Sequence, residues 1–569
     1  MLQLHGVEYA FGMGGFQPLP YYDALARQDK VRHILIRDEK HGAFSADGYA
    51  RIKNRPAVAD ATLGPGATNL VSGAAESFGA SVPLILITGE VNSLIAGRAA
   101  TQESDQFGML KPTTKMSIRV DRIERVPELV RRAFNVATAG RPGPVLIDMT
   151  EDVFHGHHEF ADDDLFADPA SCVLGARRMG GDPALIERAA EVISKATKPV
   201  MIVGGGIHLS QAYDELESFV AQSGIPVAYT ISGKGAIADT DPLAIGLCGR
   251  FSRFANDLIK EADVVLVVGS KLGEIATARW TLIQPHTTVI QVDVDPTELG
   301  KVYRTSIGIA SDARLALADM RRALPPRSQM AARAGEQQRR VDQARRTWSV
   351  TAEVSYTSAE TPVHMARLLR ELSTVLPADA IIVADGGFAA HWSALLYDTK
   401  QAGRTYVANR GHAAIGYGLP GSIGVKLAAP SRTVVALCGD NGFAMSLAEI
   451  ETAKRAGTAV VVCVVNNSTL GYVKALQHSL YQDRFISVDF LPVDYGAAAR
   501  AFGCYGEKVE SPEQLGPALA RALEAGIPAV LDVTITRDPA KMLPGIDARS
   551  AAPKPAPAPV GGGPKAASD

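Results

Sequence analysis

Gly439-Asp440-Asn441-Gly442, followed by Asn466-Asn467, stands between two apolar runs, Thr433–Cys438 and Ala459–Val465, that read as parallel strands. Between them, Ser446–Gly457 carries the apolar spacing of an amphipathic helix. The stretch is one strand–helix–strand unit of an open α/β sheet. Asp440 and Asn467, 27 positions apart, therefore fall side by side at the carboxyl ends of neighbouring strands, where such sheets bind ligands. A carboxylate, an amide oxygen, glycines that admit close backbone approach and a helix N-terminus together suit a diphosphate held through Mg²⁺. The same residues also read as a strand-end turn of an ordinary nucleotide-binding sheet.

A second constellation lies near the other end of the chain. His33-Ile34-Leu35-Ile36-Arg37-Asp38-Glu39 is an apolar strand that ends in a carboxylate. It runs directly into Lys40–Arg51, a helix with small residues on one face. Thr62-Leu63-Gly64-Pro65-Gly66-Ala67-Thr68-Asn69-Leu70, Pro83–Gly89, Gln102-Glu103, Lys115 and Arg141–Asp148 follow. In order and spacing these stretches resemble the pyrimidine-binding domain of acetolactate synthase and related thiamine-diphosphate (ThDP) enzymes. Gly439–Gly442 with Asn467 is similar to the Gly-Asp-Gly…Asn fingerprint of that family, and departs from it at Asn441. The resemblance spans about residues 5–540.

Length and composition agree. A chain of 569 residues is too long for one core and divides into three α/β blocks, each an open, mainly parallel sheet. These are a pyrimidine-binding domain at 1–155, a central Rossmann-like domain at 180–325 and a diphosphate- and Mg-binding domain at 361–540. A Pro/Ala/Gly-rich tail at 541–569 is expected to be disordered, above all in Ala551–Asp569. The first and third blocks look like two versions of one design. In the second, Val200–Gly206, Ile225–Thr230, Val264–Gly269 and Thr288–Val294 read as strands, and Arg327–Arg346 beyond it as a solvated helical linker.

A net charge of −3 and 46% hydrophobic residues describe a soluble protein with no electrostatic draw toward nucleic acid. No apolar run reaches the roughly 18–20 residues that span a bilayer. No signal peptide precedes the fold, so the expected location is cytoplasmic. Met1–Gly6 reads as the end of a helix, and the resemblance implies about two further helical turns ahead of it, as if the start were truncated or misassigned. The five cysteines show no paired spacing, and Cys438 and Cys463 read as small apolar core residues.

The resemblance assigns roles residue by residue. Glu39 hydrogen-bonds the pyrimidine ring of ThDP; from the residues alone, a salt bridge to Arg37 or Arg51 is the other reading. Pro65 and Asn69 line the same side. Asp440, Asn467 and the carbonyl of Thr469 hold Mg²⁺, and backbone groups of Gly439, Asn441 and Gly442 meet the diphosphate. Gly387 and Phe388, in a turn with Ala389, offer backbone contacts only, because Phe388 and Ala389 stand where the family carries Gln and His. Ile415 matches the bulky residue that bends the cofactor. Because Glu39 and Asp440 belong to different domains, the site is expected between two chains of a homodimer, within a homotetramer. Gln102 matches an active-site glutamine. Lys115 matches a basic residue at the site's mouth, or is a surface lysine. Leu476 stands where the family has a tryptophan, and Phe16 and Gln17 replace a Gly-Ala pair facing the reacting carbon. Gln17 is thus a candidate proton-positioning group. On the central block, acetolactate synthases bind FAD. Here Gly269–Ala276 lacks their Arg and acidic pair, and Gly204-Gly205-Gly206 is a weak signal, so FAD stands beside an ADP-like or vestigial pocket.

The function implied is a ThDP- and Mg²⁺-dependent decarboxylase and carboligase acting on a 2-keto acid. The nearest named activity joins two pyruvates to 2-acetolactate and CO₂. Leu476, Phe16 and Gln17 lean toward an alternative, a lyase or decarboxylase of 2-hydroxyacyl-CoA, oxalyl-CoA or aromatic acyloin type. A protein that kept the three sheets but lost its chemistry is the remote third.

Overall fold

The computed structural model describes residues 1–544; the tail expected to be disordered at 541–569 is ordered where it is described, since Met542 is buried and its carbonyl accepts the Trp392 N–H (2.8 Å), and the rest of it lies outside the described residues. Three six-stranded parallel sheets organise the chain. The first holds β1 (Tyr9–Gly12), β2 (Arg32–Leu35), β3 (Ala57–Ala61), β4 (Leu84–Glu90), β5 (Met116–Val120) and β6 (Val145–Thr150), in the order β2-β1-β3-β4-β6-β5. The second holds β7 (Pro199–Val203), β8 (Val227–Tyr229), β9 (Ala244–Leu247), β10 (Val264–Val268), β11 (Thr288–Asp293) and β12 (Ile307–Ala310), in the order β12-β11-β10-β7-β8-β9. The third holds β13 (Ile381–Ala384), β14 (Tyr406–Ala408), β15 (Val434–Gly439), β16 (Val461–Asn466), β17 (Tyr505–Val509) and β18 (Ala529–Thr534), in the order β14-β13-β15-β16-β18-β17. Counted within each sheet, the first and third are wired identically. The middle sheet has the dinucleotide-binding order, reversing direction between β7 and β10.

Several local expectations change. The helix expected at Ser446–Gly457 is two, Asp440–Ser446 and Glu449–Ala456, and the first starts at the motif's own carboxylate. The linker helix extends over Arg327–Tyr356 and is not merely solvated. Its Arg333 donates to the Ser223 carbonyl (2.7 Å), and Arg345 to the carbonyls of Asp241 (3.0 Å) and Ala244 (2.9 Å). Met1–Gly6 forms turns, not a helix end. All five cysteines are free and buried. Among the described residues, no helix is long and apolar enough to cross a membrane.

What positions the site is the packing of helix Glu39–Lys53 on helix Gly418–Ala428. Asp38 caps the first by accepting the Lys40 N–H, and Asn54 closes it in the left-handed region at φ 51°. The two backbones meet at small residues. A Cβ on Gly48 would lie 2.3 Å from the Gly421 carbonyl oxygen, and one on Gly424 would lie 1.8 Å from that of Ser45. A buried polar knot ties the crossing. Arg51 donates to Asp47 (2.6 Å) and Glu76 (3.2 Å), and the Tyr417 hydroxyl donates to Asp47 (2.6 Å). Glu76 also accepts the N–H groups of Gly411 (2.8 Å), His412 (2.7 Å) and Ala413 (2.9 Å). A first-domain carboxylate thus fixes a third-domain loop.

Gly424→Ala is expected to destabilise the protein by about 1–3 kcal/mol, because backbone cannot yield as a side chain can. Gly335→Ala, where only the tip of Arg339 lies within 4 Å, should be neutral or stabilising. Urea unfolding of the two variants beside the wild type checks both.

Candidate active site

At the carboxyl end of β15, Asp440 opens its helix with a buried side chain. Its Oδ1 accepts the Asn441 N–H (2.7 Å) and its Oδ2 accepts the Asn467 N–H (3.2 Å). Burial raises its pKa, and the surrounding N–H groups only partly oppose this. A cation would offset that burial. Asn467 donates its amide N–H to the Thr536 carbonyl (3.2 Å), which leaves its amide oxygen as an acceptor. Thr469 is buried, its hydroxyl donated to the Val488 carbonyl (2.9 Å). Among the described residues no three His, Cys, Asp or Glu side chains cluster as metal ligands. The carboxylate of Asp440 and the amide oxygen of Asn467 are hard-oxygen donors, the kind that Mg²⁺ takes.

A cradle at these strand ends is defined by missing side chains. A Cβ on Gly439 would meet nothing within 4 Å, so the strand end is open to a ligand. Gly387 has φ +69° and caps helix Phe388–Leu396, so Phe388 and Ala389 begin a helix and do not sit in the expected turn. Phe388 packs 6.1 Å from the Trp392 ring. Ile415 Cγ2 lies 4.0 Å from a Cβ built on Gly387, which brings Ile415 against the cradle. Gly442 is required for another reason, since its Cβ would lie 2.1 Å from Asp385 Oδ2.

Asp385 is a residue that sequence reading missed. It follows β13, is buried, and accepts the N–H groups of Gly386 (2.7 Å), Gly416 (3.0 Å) and Tyr417 (3.0 Å). Burial pushes its pKa up to about 6. It pins the loop that carries Ile415. The available signal was an acid directly after an apolar strand and before Gly386-Gly387.

In the first domain, Glu39 begins its helix at the carboxyl end of β2 with 2% exposure, a burial that demands a partner. Asn69 supplies it, donating Nδ2 to Glu39 Oε2 (2.9 Å). Arg37 pairs with Glu451 (2.8 Å) and Arg51 with Asp47, so the salt-bridge reading of Glu39 is set aside. Pro65 and Asn69 bound the short helix beside it. Gln17 accepts a hydrogen bond from the Thr62 hydroxyl (2.9 Å) and packs on Gly89. Phe16 is exposed, 5.5 Å from the His155 ring. Gln102 is exposed, has φ +63°, and sets its carbonyl against Gly64. Glu39, Gln17, Pro65, Asn69 and Gln102 thus share the carboxyl edge of the first sheet.

Two residues need correction or addition. Lys115 precedes β5, at the opposite edge of the parallel sheet, where its ammonium donates to the carbonyls of Val136 (2.6 Å) and Ala139 (2.5 Å). It caps a helix end and its pKa is pushed down to about 8 by burial; it does not meet Glu39. Gln106 was missed. It is fully buried, accepts the Gly64 N–H (2.8 Å) and donates to the Gly89 carbonyl (2.7 Å) and to Asp148 Oδ1 (2.7 Å). It fixes the turn that carries Pro65. On the third domain, Leu476 is half-buried on helix Gly471–Tyr481, which follows Thr469.

At the Glu39 end of the helix, the Arg37 N–H (3.0 Å) and the His41 ring (3.0 Å) meet Glu449 of the third domain. Glu39 starts its helix, whereas Glu76 fixes Gly411–Ala413 at the Arg51 end, about 18 Å away at 1.5 Å per residue.

Three open parallel sheets, a glycine cradle beside Asp440 and a buried strand-end glutamate belong to a chain whose matches make it a ThDP-dependent enzyme that forms carbon–carbon bonds. Family models match in chain order: "Thiamine pyrophosphate enzyme, N-terminal TPP binding domain" over residues 1–109, "central domain" over 186–320 and "C-terminal TPP binding domain" over 385–533. The chain is 34% identical over 553 residues to a probable acetolactate synthase large subunit of Methanocaldococcus jannaschii, covering 95% of this chain and 91% of that protein. It is 32% identical over 538 residues to acetolactate synthase isozyme 2 large subunit of Escherichia coli K12, covering 94% of each. It is 32% identical over 541 residues to the acetolactate synthase large subunit of Lactococcus lactis, covering 94% and 90%. The chain belongs to the acetolactate synthase-like family of ThDP-dependent enzymes. The matches favour a carboligase over the lyase, decarboxylase and non-catalytic readings.

Asp148, the anchor of Gln106, is buried and also accepts the Thr88 hydroxyl (2.7 Å). Burial first, and then the Glu90 charge, raise its pKa from 3.8 to about 7. Between these values the folded state keeps a proton that the unfolded state has released, so stability falls as pH rises through that window. Asp148→Asn removes the penalty. It should stabilise by on the order of a few kcal/mol at pH 8 and by almost nothing at pH 4, read by urea unfolding at both.

Proposed function

We propose that this protein converts two pyruvates to 2-acetolactate and CO₂, with ThDP and Mg²⁺ held between two copies of the chain. The observation that carries the reading is the placement of Glu39: buried, bonded among the described residues to Asn69 alone, and at the other end of its helix from the Arg51–Glu76 tie to the Ile415 loop. A glutamate so placed is complete only against the third domain of a partner. The names of the relatives supply the reaction.

When bound, ThDP supplies the electron sink for the pair released on decarboxylation. The protein's part is position and proton control. Asp440, the Asn467 amide oxygen and the Thr469 carbonyl would ligate Mg²⁺. Backbone groups of Gly439, Asn441 and Gly442 on one arm, and of Gly387 and Phe388 on the other, would take the diphosphate. Ile415, tied back by Asp385 and Glu76, would hold the two rings in a bent form. Glu39 would hold a proton at the pyrimidine ring, with Asn69 keeping its carboxylate in register and Pro65 closing the wall. Gln17 accepts from Thr62, which leaves its amide N–H to direct a substrate oxygen, with Gln102 beside it. Phe16 and Leu476 would shape the acceptor space. A homotetramer in the cytoplasm fits the family. In the central domain we place FAD or an ADP-like ligand.

Glu39→Gln should lower acetolactate formation by roughly 10²–10⁴-fold while ThDP still binds. Asp440→Asn should abolish Mg²⁺-dependent ThDP binding. Co-expressed in equal amounts, the two inactive variants should recover about a quarter of wild-type activity, because half the dimers are mixed and each mixed dimer has one intact site. Acetolactate and CO₂ assayed together provide the measurement. No recovery in mixed dimers would place the site within single chains.

A further inference from the structure

Glu39 stands just beyond an edge strand. β2 pairs only with β1, and the Ile36 N–H, donated to the Gly12 carbonyl (3.1 Å), is the last that this stretch gives to the sheet. Arg37, Asp38 and Glu39 run on with no ladder to fix them. An edge of this kind is left open unless another element covers it. Here helix Glu449–Ala456 of the third domain does so. Arg455 donates to the Leu35 carbonyl (2.5 Å), and Glu451 pairs with the Arg37 guanidinium (2.8 Å). Glu449 accepts the Arg37 N–H and the His41 ring, both at 3.0 Å.

Glu449 is the centre of this contact. It is fully buried, and its Oε1 takes both bonds, one from two residues before Glu39 and one from two residues after it. Its Oε2 accepts the Thr452 hydroxyl (2.6 Å), which orients the carboxylate from its own helix. Among the described residues no lysine or arginine side chain pairs with it, so it depends on these three donors. Losing one leaves a buried carboxylate under-satisfied. A carboxylate oxygen accepts, so the His41 ring carries a proton on Nδ1. His41 Nε2 is buried and meets no partner among the described residues, so the ring's hold runs through Nδ1 alone. The Asn69 bond orients the Glu39 side chain, whereas Glu449 brackets the backbone that carries it.

We propose that Glu449 and His41 are positioning residues for Glu39: together they set where its carboxylate stands in the cleft, and so the rate of the step that Glu39 assists. This rests on the role of Glu39 proposed above. A displacement of about 1 Å at a reacting group can cost about a hundredfold in rate, so loss of the bracket is read in turnover and not in affinity.

The test is a cycle of variants in the full-length protein with ThDP and Mg²⁺. His41→Ala should lower kcat for acetolactate formation about tenfold or more, with the pyruvate KM and the ThDP affinity within about twofold of wild type. His41→Asn, whose amide N–H takes the place of Nδ1–H, should restore most of the rate. In the Glu39→Gln background, His41→Ala should cost nothing further, because a residue that acts only through Glu39 has no effect once that carboxylate is gone. Thr452→Val, which releases Glu449 Oε2, should lower kcat several-fold with the same dependence on Glu39, and it decides the case if His41→Ala does not fold. Backbone hydrogen exchange over residues 36–42, measured without ThDP, should quicken in His41→Ala and Thr452→Val and return to the wild-type rate in His41→Asn. An equal cost of His41→Ala in both backgrounds, a loss confined to KM or ThDP affinity, no rescue by His41→Asn, or exchange unaltered over 36–42 overturns the proposal. Full activity in Glu39→Gln counts against the proposed function instead, and the exchange measurement, which needs no cofactor, still decides the bracket.

Discussion

The crossing of helices Glu39–Lys53 and Gly418–Ala428 is the constraint on which the rest of the structure depends. Glycine on both faces brings the two backbones close enough that a single methyl group would collide with a carbonyl. Close approach of this kind leaves no room for error in the relative placement of two sheets. The Asp47–Arg51–Glu76 knot then fixes it chemically. A buried ionic network of this type adds little over an apolar core when whole, but removing one partner typically costs about 3–5 kcal/mol. Its value here lies in specificity: Glu76 is satisfied only when Gly411–Ala413 presents three N–H groups to it.

That constraint reaches the site from two directions. Glu76 takes hold of the loop before Ile415, and Asp385 takes hold of it just after, at Gly416 and Tyr417. A half-buried isoleucine between two buried carboxylates cannot drift as a surface loop would. The first sheet uses the same device with a neutral group, where Gln106 gathers Gly64, Gly89 and Asp148. In both sheets, residues remote in sequence hold backbone N–H groups, and the residues that face the cleft are left free to meet a ligand.

How much could be read from sequence follows from this division. The strand-end positions of Asp440, Asn467 and Glu39 were legible because each follows a short apolar run, whereas Ile415 was singled out by the resemblance and its flanking glycines. Asp385 and Gln106 were not legible, because the Gly416 and Gly64 N–H groups they accept lie 31 and 42 positions away, and a backbone partner leaves no side-chain signature. Lys115 was misplaced because matching a position says nothing about which edge of a sheet it occupies; only the direction of β5 decides that. Strands β9 and β12 escaped notice as four-residue runs interrupted by Gly246 and Gly308, too short to show a period. The cavity beside Gly204-Gly205-Gly206 was legible only as a glycine turn, because its lining comes from several separate stretches of chain.

The identical wiring of the first and third sheets has a consequence of a different kind. Helix Glu39–Lys53 connects the second and third strands of its sheet, and helix Gly418–Ala428 connects the same two in the other. Their contact pairs Gly48 with Gly421 and Ser45 with Gly424, so a residue and its counterpart three positions away exchange places across the crossing. Reciprocity of this form is the signature of a two-fold axis. The single chain is thus internally a pseudo-symmetric pair, as a duplicated and fused ancestor would leave it. The two halves differ at their carboxyl edges, where one carries Glu39 and the other Asp440, while the seam between them keeps its symmetry.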